Sequence, residues 1–329
     1  MACELVHILR RRIQPVRVRV TISLTIGDRK PEVEEPRMRS STKPRHLVAA
    51  MLATTLFAAA CADSPPADDS ANGTGSADNT SAASDPAQEL PSAITGNGGE
   101  LEGTALQYVE GDELTTGYLA VPDGDGPFPA LIIIHEWNGL QDRVRQLADD
   151  FAHEGYVTLA ADLFQGRTGS NRQENMALVR EAQANQPAMI ANLNAAVAYL
   201  KGRSDVTGRV GAMGWCFGGG VALSFGLDGE NHDATAIFYG RLVDDPEVVA
   251  RLDHEVYGTF AALDSGPSPE SVAAFEAALR AAGVENDLHI YDDVDHGFWL
   301  RVDGDPDVRT APAADAWQRL KAYLQRTLG

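Results

Sequence analysis

Between residue 100 and the C-terminus the spacing of apolar residues changes repeatedly, and each change predicts an element. A β-rich start is expected, with strands over 104–110 and 115–121. Ala130-Leu131-Ile132-Ile133-Ile134-His135 is then a continuous apolar run, the pattern of a strand buried on both faces. Val144, Leu147 and Phe151 share one helical face, and a strand follows over 156–160. Helical patterns over 173–183 and 188–201 lead into Arg209-Val210-Gly211-Ala212-Met213, a short buried strand, and a small-residue helix over 217–227. Strands over 234–239, 257–263 and 288–291 come next, the last two separated by a helix carrying Val272, Phe275 and Leu279. Trp317, Leu320, Leu324 and Leu328 mark a final amphipathic helix. Alternating strands and helices imply an α/β domain with a mainly parallel sheet covered on both faces.

That pattern assigns residues 100–329, about 230 positions and enough for one core, to a single domain without internal repeats. Ahead of it, 61–99 is dominated by Ser, Ala, Asp, Gly, Pro and Asn, which bury too little apolar surface to fold, so it reads as a tether. Met38 begins a basic segment (Arg39, Lys43, Arg45), an apolar stretch over 47–60, and Ala58-Ala59-Ala60-Cys61. This is the layout of an export signal, and Cys61 after three alanines resembles a bacterial lipobox. The expectation is an exported envelope or periplasmic protein, lipid-anchored through Cys61. An ordinary secretory signal with an incidental cysteine is the alternative, since the apolar run is too short to span a bilayer stably. Residues 1–37 fit no such pattern, so the start is expected at Met38 and 1–60 stand apart from the fold.

Charge narrows the partners. Residues 1–60 carry a net +6, which leaves −26 on the remainder of a chain whose formal charge is −20. A domain this acidic repels nucleic acid and anionic membrane surfaces, so membrane contact is expected through the anchor alone. The only cysteines are Cys3, Cys61 and Cys216, and no Cys/His spacing resembles a metal site. Neither a Walker motif nor a dinucleotide fingerprint is present, so no cofactor and no metal is expected.

The densest chemical signal is Gly214-Trp215-Cys216-Phe217-Gly218, a Gly-x-nucleophile-x-Gly turn between a strand and a helix, with cysteine at the nucleophile position. Glycine on either side leaves room for a tight turn, and a helix N-terminus favours thiolate. A packed structural thiol is the alternative. In α/β-hydrolases an acid and then a histidine follow the nucleophile. Asp264 sits where the strand over 257–263 enters a loop, and His296 lies in the loop before the last helix. Asp292, Asp293 and Asp295 compete for the acid's role, but they lie too near His296 in sequence to reach it from a neighbouring strand. The Phe217 amide is the first oxyanion donor, and Trp137, in the loop after the strand 130–135, is expected to supply the second.

With these residues in view, the set His135-Glu136-Trp137-Asn138-Gly139, Ala161-Asp162-Leu163-Phe164, Gly214 to Gly219, Phe238-Tyr239-Gly240, Asp264 and His296-Gly297-Phe298 resembles the dienelactone hydrolase (carboxymethylenebutenolidase) family from about residue 103 onward. The resemblance implies an α/β-hydrolase fold, a triad of Cys216, Asp264 and His296, and a role for Glu136 in holding or accepting the resting thiol proton. It also implies arginines clamping a substrate carboxylate, one in the helical segment after Phe164 and one just beyond the histidine. Arg301 lies one residue later than that pattern, and Arg172 and Arg180 stand in the helical segment without clear register. A broader ester, lactone or thioester substrate therefore fits the chemistry equally well. Arg301, Arg241, Tyr239 and Phe298 are the candidate substrate contacts, in a protein expected to be a monomer acting on a small molecule. The reading from a different class is a surface-displayed, catalytically idle member of the fold that binds a ligand.

Overall fold

A computed structural model describes residues 90–329. The expected signal, the start at Met38, Cys61 and the tether as far as residue 89 lie outside the described residues. The elements run β1 (Thr104–Leu106), β2 (Gly117–Ala120), β3 (Phe128–Ile134), α1 (Asp142–His153), β4 (Val157–Ala161), α2 (Arg172–Ala184), α3 (Gln186–Lys201), β5 (Val206–Trp215), α4 (Phe217–Asp228), β6 (Ala234–Phe238), α5 (Pro246–Val249), β7 (Val256–Ala261), α6 (Pro269–Ala282), β8 (Asn286–Tyr291) and α7 (Pro306–Leu328). One sheet holds all eight strands in the order β1-β2-β4-β3-β5-β6-β7-β8. β2 is antiparallel to both β1 and β4, and every other pairing is parallel. This is the α/β-hydrolase architecture.

The apolar run of β3 follows from its place between β4 and β5. Side chains alternate across a strand, so a strand covered twice must be apolar at every position. Leu131 and Ile133 pack with Phe151 of α1 and Trp317 and Leu320 of α7. Ala130, Ile132 and Ile134 pack on the other face with Leu193 and Val197 of α3 and Phe225 of α4. A third cluster joins Ile237 and Phe260 to Phe275 and Leu279 of α6. α6 has a Ser268 cap that accepts from the Ser271 amide and a left-handed Gly283 at its end.

Beyond shifts of a few residues at element ends, three features differ from the expectation. β1 stops at Leu106 because the Tyr108 hydroxyl donates to Asn192 of α3 at 2.7 Å and accepts from the Asp162 amide at 3.1 Å, which draws the chain off the sheet. α5 is too short to show a periodic stripe, but Asp245 caps it and Pro246 opens it. The tether does not extend to residue 99. Leu90, Ala93 and Ile94 are buried against the α1 and α7 side of the core, and Asp150 of α1 accepts from Ser92 Oγ at 2.8 Å and the Ala93 amide at 2.9 Å. A Ser/Ala/Asp-rich average conceals three apolar positions that suffice to dock one short segment.

The loops after β3, β5, β7 and β8 all leave the carboxyl edge of the parallel sheet, where α/β folds place their sites. They carry Glu136, Cys216, Asp264 and His296.

Candidate active site

β5 ends at Trp215 and α4 begins at Phe217, which leaves Cys216 alone to make the turn, at φ 56° and ψ −115°. A side chain held in that region stores strain of about 1–3 kcal/mol, which the surroundings must offset. The Cys216 amide donates to the Phe238 carbonyl at 3.0 Å, and the Gly220 amide donates to the Cys216 carbonyl at 3.2 Å. Gly218 meets its expected requirement, since a Cβ there would run into the carbonyls of Ile134 and His135. The thiol is partly exposed.

Asp264 lies just past β7, buried, and His296 lies beyond β8, with its side chain 38 % exposed. Their side chains meet, His296 Nδ1 to Asp264 Oδ2 at 2.6 Å. The second Asp264 oxygen accepts from the Gly266 amide at 2.8 Å, which fixes the carboxylate. Of the competing acids, Asp295 instead pairs with Arg309, and Asp292 and Asp293 are exposed. Burial opposes charge on the imidazole, but hydrogen bonds to Asp264 and Cys216 and the charge of both outweigh it and raise His296 to about 10. Because Nδ1 is taken by Asp264, Nε2 is the nitrogen left for Cys216. The arrangement can hold an imidazolium beside a sulfur and carry a proton between that sulfur and a bound molecule.

Glu136 is buried and ion-paired to Arg301. Burial raises its carboxyl above the ordinary range, against the pull of Arg301, His296 and Arg143. Next to it, His135 is fully buried, its Nδ1–H donating to the Glu136 carbonyl at 2.7 Å while Nε2 accepts from the Leu163 amide at 3.2 Å. Burial lowers its basicity, and as a neutral ring it orders the turn that bears Glu136 and Trp137. The Phe217 and Trp137 amides have no acceptor among the described residues. They are free to meet an oxyanion.

A cleft of about 420 Å³ opens at Cys216, lined by Phe217, Met189, Leu227, Arg241 and Val248 among others. Arg241 is exposed and has no ion-pair partner among the described residues, so it remains available to a ligand. Two other candidate contacts require correction. Tyr239 and Phe298 are fully buried, so neither offers a surface to a substrate. Tyr239 packs edge-on against the His296 ring at 5.0 Å, and Phe298 lies behind it at 6.1 Å from Tyr239. They support the imidazole. Arg301, half-exposed, is ion-paired to Glu136, and Arg172 and Arg180 stand exposed on α2, outside the cleft, so no pair of free arginines converges there. Arg143 was not anticipated; it grips Asp303 through two hydrogen bonds of 2.8 and 2.6 Å and reaches the Leu300 carbonyl. On the sequence it is an ordinary polar position of a surface helix, and nothing there distinguishes it.

Comparison with known proteins adds to this geometry. The family model described as the dienelactone hydrolase family matches residues 115–328. A protein of Methylorubrum extorquens provisionally named carboxymethylenebutenolidase is 29% identical over 228 residues, spanning 65% of this chain and 78% of its own. Among solved structures, a provisionally named dienelactone hydrolase from Klebsiella pneumoniae superposes with TM-score 0.60 at 23% identity, covering 68% of this chain and 98% of that one. A dienelactone hydrolase-like promiscuous phosphotriesterase from metagenomic libraries superposes with TM-score 0.62 at 20% identity, covering 69% and 98%. At that identity both structures speak for the fold alone.

Proposed function

The chain belongs to the dienelactone hydrolase family, hydrolases of ester and lactone bonds, and from that premise we propose that Cys216 is its nucleophile and a small carboxylic ester, lactone or thioester its substrate. The observation that carries this reading is the His296–Asp264 pair at 2.6 Å, with Cys216 among the groups that hold the same imidazole charged. In the proposed cycle the Cys216 thiolate attacks the carbonyl carbon, and the oxygen takes the negative charge opposite the Phe217 and Trp137 amides. Collapse breaks the bond to the leaving group, which takes a proton from His296 Nε2. Water then gives its proton to the neutral His296 and attacks the thioester; the acid product leaves and the thiolate returns beside the imidazolium. Asp264 orients the ring and stabilises its charge throughout. Ahead of the cycle Glu136 takes the proton of a resting Cys216 thiol and passes it to His296, which gives the thiolate and imidazolium with which the cycle begins.

The substrate reading stays broader than a dienelactone because Arg301 is engaged by Glu136 and α2 brings no second arginine to the cleft. The test is turnover of p-nitrophenyl acetate and butyrate, an acyl thioester, dihydrocoumarin and a dienelactone by wild type and Cys216→Ala. Activity that survives the substitution would remove Cys216 from the mechanism. A folded wild type that turns over none of these and resists iodoacetamide would support the idle binding protein instead.

Export and lipidation at Cys61 belong to the same proposal and rest on the 38–61 pattern alone. No described helix is long and apolar enough to cross a membrane. Labelled palmitate incorporated into wild type but not into Cys61→Ser is the expected result; equal incorporation would refute the anchor.

A further inference from the structure

We infer that residues 90–95, which precede the family-matched region, form a strap that positions Arg301 against Glu136. The inference rests on the proposed role of that pair. Its first support is burial: Ile94 is wholly buried in the cluster that contains Trp299, Leu300 and Val302, the residues flanking Arg301. Its second is directional bonding. The Ile94 carbonyl accepts from the Val302 amide at 3.0 Å and the Asp303 amide at 3.4 Å. Asp150 holds the strap from the other side through Ser92 and Ala93.

Around Arg301 the backbone is then fixed on three sides. Val302 is bound to the strap, Leu300 is held by Arg143 through its carbonyl, and the Arg301 carbonyl accepts from Arg309 at 2.8 Å. Arg309 also reaches Asp295, next to His296. This restraint matters because the Arg301 side chain is 44 % exposed while Glu136 is almost wholly buried. A long, half-solvated guanidinium has many competing rotamers, so it stays on a buried carboxylate only if its backbone cannot wander. The loop's own hydrogen bonds are local, a run of turns ending in the single 3-10 turn Val302–Gly304, and such short-range bonds do not fix its position relative to Glu136. The strap supplies the missing fixed point, and residues 90–95 act as positioning residues.

The test uses the full chain with Asp150→Ala plus Ile94→Gly, which removes both the grip and the buried anchor, and Asp150→Asn as the mild counterpart that keeps an acceptor for the Ala93 amide. Hydrogen exchange at Val302 and Asp303 should quicken. The alkylation rate of Cys216, resolved by peptide mass spectrometry, should move toward that of Arg301→Ala, and kcat/KM should fall roughly tenfold, since small misplacements near a reacting centre are amplified. In an Arg301→Ala background the strap variants should add less than about twofold, because their effect passes through Arg301. Equal strap effects with and without Arg301, or faster exchange with alkylation and turnover unmoved, would overturn the inference. If the double variant loses its circular dichroism, Asp150→Ala alone carries the comparison. A wild type without turnover would count against the proposed hydrolysis, and the alkylation comparison would still judge the strap.

Discussion

Nδ1 of His296 stands 2.6 Å from Oδ2 of Asp264, although 32 residues and two different strand ends separate them. The pair leaves Nε2 to Cys216 and sets the ring's orientation. Asp264→Asn keeps the size of the side chain and removes its charge, so kcat/KM is expected to fall on the order of a thousandfold with the fold intact. A loss under threefold, measured with circular dichroism alongside, would remove Asp264 from the mechanism.

The same contact should appear in stability against pH. His296 is raised to about 10 in the fold against 6.5 for the free group, so its charge stabilises the protein fully below pH 6.5. That contribution is lost as pH rises through 10. The melting-temperature advantage of wild type over Asp264→Asn should therefore shrink across this window. Parallel curves for the two proteins would contradict the pairing.

Cys216 occupies its turn at φ 56°, a conformation natural to glycine. Cys216→Gly should abolish turnover and, by releasing the strain, raise the unfolding free energy by about 1 kcal/mol in urea titrations. A less stable variant would show that the side chain's packing outweighs the strain of the elbow.

Met189 lines both the 420 Å³ cleft at Cys216 and a neighbouring 370 Å³ cavity between α2, α3 and the Leu163–Phe164 turn. It forms part of the wall between them. Met189→Ala should join the two spaces and shift the octanoate-to-butyrate ratio of kcat/KM upward by roughly tenfold, since burying even one of the four extra methylenes is worth about that much. An unchanged ratio in p-nitrophenyl ester assays would place the acyl chain elsewhere.

Much of the site was legible in the chain because the requirements are local. A Cβ at Gly214 would meet the Gly218 backbone within the turn itself, and an acid and a histidine after successive strands fall on the same sheet edge by the geometry of parallel β-structure. The apolar run 130–134 likewise announced a strand covered on both faces.

What remained open depended on which side chains meet at a distance. Tyr239 and Phe298 looked like substrate contacts because they adjoin the motifs, yet packing turns both inward behind His296. Arg301 finds Glu136 across 165 residues, and the strap at Ile94 meets Val302 over a still longer span. The order of residues determined the elements, the elbow and the set of chemical groups, since backbone conformation and period are properties of near neighbours. The tertiary structure alone decided which guanidinium pairs with which carboxylate and which aromatics remain solvated, because those outcomes are set by the burial and desolvation that the assembled core imposes.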